Sequence, residues 1–449
     1  MNKKIEYLLP ILLITTMAIC SIFAIIDEAI YILESHGIIS EEVAVNNNII
    51  DDISITTLAY HGDNNTIDES DFENLYPFKY ERYKKEEKTD IKSRYLYYLN
   101  VINYELSSFE SNLTLFDKFK DIGSSFRKSF VFGAPYVSSR VIEIEDSYFI
   151  RPIGDKYSRS DLEDTVDMVC DFNEYLNNLG IPMVYVNVPL EQSEDDEKNY
   201  ISGFGYSYSN QNNDLFTTML EEEDINLINL KEYYYKLAND YHDLYYNTDH
   251  HHRVSTGYEV SKIIAEYLVN NYGLDISKEY LDDDLYETII YENAMFGSEG
   301  QTVGKYYASC EDFEFLNPTF DTDILIKNVD IGVNKQGTFL DTMLDSETLK
   351  SYSQNGGGYA YECLIGGNRP LTTIKNNKSE NSTKILILRD SFSLAVAPYL
   401  SLTVDKLDLI DTRDGNGDFN GSVRTYIEMA KPDIVLLLYG GSCDDSYFD

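Results

Sequence analysis

The sequence predicts an α/β fold on a parallel sheet, and three stretches carry that prediction. "SRSDLEDTVDMVCDFNEYLNNLG" followed by "IPMVYVNVP" (residues 158–189) pairs a helix with an apolar strand. "KILILRDSFSLAVAPYLSLTV" (384–404) runs strand, sharp turn, helix, and leads into the strand "KLDLIDTR". "GSVRTYIEMAKP" and "DIVLLLYGGS" repeat helix then strand near the C-terminus. These strand segments are near-continuous apolar runs. Strands covered by crossover helices on both faces read that way.

At the N-terminus, Lys3 and Lys4 precede an uncharged run of 19 residues, Leu8 to Ile26. A helix needs about 20 residues to cross a bilayer, and flanking lysines place their side in the cytoplasm. The expectation for residues 1–27 is therefore an uncleaved signal anchor, a transmembrane helix with the remaining chain outside the cell membrane. A cleaved signal peptide is the rival. Ile25, Ile26 and Asp27 offer no small-residue cleavage site, and Ile19 before Cys20 does not suit a lipoprotein site.

Residues 28–135 are polar and rich in Tyr and Asn, and are expected to form a membrane-proximal helical stalk or cap. Within them 61–71 reads as a loop, and 79–119 as helical from its recurring Tyr, Leu and Ile. The main domain is expected over 136–449. "RVIEIEDSYFIRP" (140–152) alternates and suggests a hairpin. In the helix that follows, Ser158 or Ser160 can cap the start and Gly180 can end it. "INLINLKEYYYKLANDY" gives strand then helix, and "STGYEVSKIIAEYLVNNYG" a helix with Ser255 or Thr256 as N-cap. Residues 280–380, with short runs such as "DILIKNV", read as an irregular insertion. The acidic runs at 193–198, 221–224 and 282–284 read as solvated loops.

The net charge of −41 excludes a nucleic-acid binder, whose phosphate contacts need Lys and Arg. It also excludes a broad basic surface for acidic lipid. None of the five cysteines forms a C-x-x-C pair, so a zinc ribbon is not expected, and buried thiols compete with disulfides.

In an open parallel sheet, ligands bind beyond the carboxyl ends of the strands, and three polar clusters fall there. In "LRDSFS", Ser391 sits between strand and helix, where a hydroxyl and backbone N–H groups converge. Asp390 or Ser391 acting only as an N-cap is the alternative. In "YYNTDHHHRVSTG" (245–257), i, i+2 alternation would set Asp249 and His251 on one face and His250 and His252 on the other. A serine needs a base, and the base needs a carboxylate to fix its tautomer. His251 and Asp249 meet those needs. A polar loop without chemistry, or a metal site from Asp249, His250, His252 and His242, are the other readings. In "YGGS", Gly440, Gly441 and Ser442 either donate to an oxyanion or form a plain turn.

Together, "TDHH" before a helix and a distant "ILILRDSF" resemble the DHHW family, which is related to the alginate O-acetyltransferase branch of SGNH-hydrolase-like proteins. The stretches 297–320, 366–376 and 409–413 fit as well, and the resemblance covers roughly residues 135–449. It implies a three-layer α/β/α fold and a triad of Ser391, His251 and Asp249, with no cofactor and no metal. It implies serine O-acyltransfer, in particular acetylation of a cell-surface polysaccharide, or the corresponding esterase. Its partners would be an acyl donor, the polysaccharide and a multi-spanning membrane acyltransferase. Gly440, Gly441, Ser442, Arg413 and His252 are the oxyanion or substrate candidates. The chain departs from the family pattern at three points. His252 replaces the tryptophan, Arg389 replaces the glycine before Asp-Ser, and Ser442 stands near the place of the oxyanion asparagine. Those departures keep open a non-catalytic glycan-binding or assembly protein on the same fold.

Overall fold

The computed structural model describes residues 141–449, apart from 145–147, 153–154, 200–206, 306, 329–331, 414–421, 444–447 and 449. The Leu8–Ile26 run, the 28–135 region and its 79–119 helix lie outside the described residues. Among the described residues, no helix is long and apolar enough to cross a membrane.

The chain order is β1 (Ile142–Glu143), β2 (Phe149–Ile150), α1 (Arg159–Leu179), β3 (Met183–Val188), α2 (Glu194–Asn199), α3 (Ser209–Glu222), β4 (Leu227–Asn229), α4 (Lys231–Leu237), α5 (Val254–Tyr272) and β5 (Tyr286–Met295). It continues with α6 (Ser298–Val303), β6 (Glu311–Pro318), β7 (Ile324–Asn328), β8 (Val333–Gly337), α7 (Phe339–Met343) and α8 (Ser346–Asn355). It closes with β9 (Leu371–Asn376), β10 (Lys384–Arg389), α9 (Ser393–Leu402), β11 (Lys406–Asp411), α10 (Val423–Ala430) and β12 (Ile434–Gly440).

Local chemistry explains several boundaries. Asp161 accepts from the Ser158 N–H at 2.7 Å and satisfies a donor at the start of α1. Gly180 ends α1 at φ 73°, a left-handed conformation that glycine takes without a Cβ penalty. The acidic run at 193–198, expected as a loop, is helical from Glu194. Ser193 and Asp196 exchange hydrogen bonds at 2.7 and 3.1 Å there, a reciprocal cap. The N-cap of α5 is Arg253 rather than Ser255 or Thr256. Those two hydroxyls are engaged elsewhere, Ser255 by Glu314 and Thr256 by the Leu244 carbonyl.

Eight strands form the main sheet, in the order β4-β3-β12-β10-β11-β9-β7-β8. The five from β4 to β11 are parallel. β9 runs antiparallel to β11, β7 to β9, and β8 to β7. The sheet is therefore mixed, not parallel throughout. The 280–380 span, expected as an irregular insertion, supplies this antiparallel edge, while β5 and β6 pair apart from it. Hairpin-linked strands such as β7 and β8 can only pair antiparallel.

Alternate residues of the central strands feed two apolar clusters, one on each face. Val184, Val186, Ile385, Ile387, Leu436 and Leu438 pack with Ile264 and Leu268 of α5 and with the apolar residues of α9. Tyr185, Leu386, Leu388, Val435 and Leu437 pack with Phe172 of α1, Phe216 of α3 and Ile427 of α10. Helices thus cover both faces. Every residue of α9 is buried, because β6 and α7 cover its outer side through Phe315 and Phe339 against Tyr399.

Candidate active site

Ser391 lies two residues beyond the end of β10. Its turn is fixed by Asp390, whose carboxylate accepts from the Phe392 N–H at 2.9 Å and from the Gly440 N–H at 2.7 Å. Asp390 thereby ties the serine turn to the end of β12. Ser391 does not cap α9, which starts at Ser393 with no side-chain cap. The Ser391 N–H donates to no group among the described residues. Arg389 is fully buried and turned to Asn368 Oδ1 at 2.5 Å and the Arg369 carbonyl at 3.1 Å.

The histidine loop closes on itself. Tyr245 and His252 form an antiparallel bridge, and Arg253 N–H reaches the Leu244 carbonyl at 2.8 Å. Glu311 accepts from the backbone of Asn247 and Thr248 and from the Thr248 hydroxyl, all within 2.8 Å, and holds the loop from outside. The loop bends rather than extends. Asp249 accepts from the His251 N–H at 3.0 Å, an Asx-turn that brings carboxylate and imidazole together. His250 therefore does not take the opposite face, as alternation would require; its ring centroid lies 3.9 Å from that of His251.

Ser391, His251 and Asp249 form one hydrogen-bonded line. Asp249 Oδ1 accepts from His251 Nδ1, and His251 Nε2 lies 2.6 Å from Ser391 Oγ. The other Asp249 oxygen accepts from the Ser298 N–H at 2.8 Å. A carboxylate on Nδ1–H leaves Nε2 bare, which is the tautomer that can take a serine proton. Tyr361 stacks on the His251 ring, with centroids 4.2 Å apart, and Phe392 packs at 5.1 Å. Burial opposes ionisation of Asp249, but His251 and His250 outweigh it and hold the carboxyl below its usual range. Burial and the neighbouring His250 push His251 down to about 4, against the pull of Asp249.

The other candidates divide. The Gly440 N–H is held by Asp390, and the Gly441 N–H by the Val188 carbonyl at 3.0 Å, so neither backbone group points at an oxyanion. The expectation for those two donors is corrected on that ground. Gly440, Gly441, Ser442 and Arg413 instead line a cavity of about 330 Å³, together with Asn212, Asn213 and Asp390. Neither Ser391 nor His251 lines it. Arg413 is paired with Asp411 at 2.7 Å. His252 is fully buried, bonded through Nδ1 to Tyr234 Oη at 2.8 Å, and packed on Phe392. It fills space under the loop and does not line that cavity.

The proposed four-residue metal set is not brought together. His242 pairs with Asp196 at 3.0 Å, and His252 with Tyr234. Asp249, His250 and His251 do place ligand-type atoms within 4.8 Å of one another. Both His251 nitrogens are occupied, however, by Asp249 and Ser391, as are both Asp249 oxygens. None of Cys170, Cys310, Cys363 and Cys443 forms a disulfide.

No family model matches the chain, and no curated protein matches it. Solved structures do. PatB1 of Bacillus cereus matches with a TM-score of 0.56 at 20% identity, covering 69% of this chain and 99% of that one. The same protein with a sulfonyl adduct matches with 0.56 at 19% identity, over 69% and 98%. A DHHW family protein from Eubacterium siraeum matches with 0.50 at 15% identity, over 67% and 90%. The chain has the fold of these proteins.

Within that fold the sequence reading overlooked three contributors. Ser298 fixes Asp249, Gly297 lets α6 come that close, and Glu299 faces His250. A Cβ on Gly297 would overlap the Asp249 carboxylate. All three sit almost 50 residues from the loop they serve, and no local spacing marks them.

Proposed function

We propose that the chain is an extracytoplasmic serine O-acyltransferase, held to the cell membrane by the Leu8–Ile26 segment. One observation carries the reading, the unbroken hydrogen-bond line Ser391–His251–Asp249. His251 Nε2 takes the Ser391 proton as Oγ attacks an acyl carbonyl. The tetrahedral oxyanion faces the Ser391 N–H, and the leaving oxygen collects the proton from His251. A hydroxyl of a surface polysaccharide then attacks the acyl-serine; His251 takes its proton and hands it to Ser391 Oγ as the acyl–serine bond breaks, which restores the free enzyme. Water in that place gives an esterase. The acyl group is acetyl, delivered with a multi-spanning membrane acyltransferase as partner. The cavity lined by Asp390, the residue next to Ser391, offers room for an acceptor sugar.

The test is hydrolysis of a fluorogenic acetyl ester by the purified protein. Ser391→Ala should lower kcat/KM by about 10³-fold or more. Equal activity in both proteins would sink the triad. A second reading, a glycan-binding protein without catalysis, is favoured by the committed Gly440 and Gly441 N–H groups. Labelling decides between them. A sulfonyl fluoride should modify Ser391 in the active enzyme and leave the binding protein unmodified.

A further inference from the structure

Beside the triad the chain holds a second acid–imidazole arrangement that the chemistry above does not use. His250 Nδ1 lies 3.2 Å from Ser298 Oγ, 3.6 Å from Glu299 Oε1 and 3.9 Å from Asp249 Oδ1. Ser298 donates its one hydroxyl proton to Glu299 Oε2 at 2.8 Å. Its oxygen can then only accept from His250, so His250 Nδ1 carries a proton. Glu299 is fully buried, with Arg151 Nε 2.6 Å from Oε1. A buried carboxylate is kept where it has such partners.

We propose that Glu299, acting through His250, is a positioning residue for the triad: the pair keeps an imidazolium against the ring of His251 and so helps to reserve His251 as a neutral base. The inference rests on the acyl-transfer reading of Ser391 and His251.

Several charged or titratable groups face His250. Asp249 and His251 share its loop, Glu299 sits on α6 with Arg151 behind it, and Glu191 follows β3. Burial works against a charge on His250. Asp249, Glu299 and Glu191 outweigh it and raise the ring to about 9. At ring contact, that charge disfavours a second one on His251. Asp249 alone would do the reverse, since a carboxylate on Nδ1 stabilises the imidazolium. Burial is the first force that keeps His251 neutral, and the Glu299–His250 pair adds to it, so that Asp249 can orient the base without protonating it.

The test is ring titration by ¹H–¹⁵N NMR on the full chain, which has only six histidines to assign. In the wild type, His250 should stay protonated to about pH 8 and His251 neutral to about pH 5. His250→Gln should raise the His251 titration, and the acid limb of kcat/KM, by about one pH unit. Glu299→Gln should lower the His250 titration by about one unit or more, and Glu299→Asp should restore part of it. A purely structural role would lower Tm in these variants and leave the titrations in place. An unmoved His251 in His250→Gln, or an unmoved His250 in Glu299→Gln, overturns the proposal. The titrations need no turnover. A protein with these shifts but no ester hydrolysis would count against the catalytic reading and leave the ion pair standing.

Discussion

His251 has to be neutral to accept a proton, and its surroundings push its pKa down to about 4. The sign is direct: activity is full above that value and lost as pH falls through it. The acid limb of kcat/KM should therefore lie well below the about 6.5 of a free imidazole, which a pH–rate profile on a neutral acetyl ester would measure. His252 gives a second pH effect, on stability. Burial depresses its pKa to about 3 in the folded chain, against about 6.5 unfolded, so the unfolded chain binds the proton first. The stability is fully present above about pH 6.5 and falls below it by about 1.4 kcal/mol per unit for this one group. In His252→Gln, urea titrations at several pH values should show a slope smaller by that amount. At this scale the meeting of Ser391, His251 and Asp249 was legible because serine, histidine and aspartate are few enough in chemical role to be matched at a distance. His250, Ser298 and Glu299 were not, because their link is a tertiary contact 48 residues long that no motif spells out.

At the level of elements, α6 is a short helix whose first turn holds Asp249. Its Ser298 N–H grips Asp249, and its Gly300 N–H reaches the Thr248 carbonyl at 2.9 Å. Gly297 makes that approach possible. Gly297→Ala should shift Asp249 and with it His251. A kcat loss on the order of 10²-fold is expected, the scale of a small misplacement in a catalytic constellation, with a lower Tm in calorimetry. The helix α1 was legible from its capping serine and the Gly180 that ends it. The start of α5 was misplaced because Ser255 and Thr256 find tertiary acceptors in Glu314 and Leu244. The strands β8 and β9 were hidden in the supposed insertion. Their residues "VNKQG" and "LTTIKN" are half-exposed, so they lack the apolar run that marks β10 or β12.

For the whole molecule, the charge of −41 sets how substrates arrive. An anionic acyl ester should be repelled more than a neutral one. Its kcat/KM should rise several-fold relative to the neutral ester as ionic strength grows from about 10 mM to about 150 mM, because the Debye length shrinks over that range. Steady-state assays of the two esters side by side would check it. The sheet's parallel half was legible as three helix–strand repeats. Its order was not, since β12 inserts between β3 and β10 and only pairing in space decides that. That insertion has a consequence for biosynthesis. The serine turn is clipped by the amide of Gly440, at the end of β12, a strand made after β10 and β11. Until β12 threads into the middle of the sheet, the turn that carries Ser391 lacks this clip. On the acyl-transfer reading, a chain whose β12 has not yet docked would be inert, and its chemistry would begin only once that strand is in place.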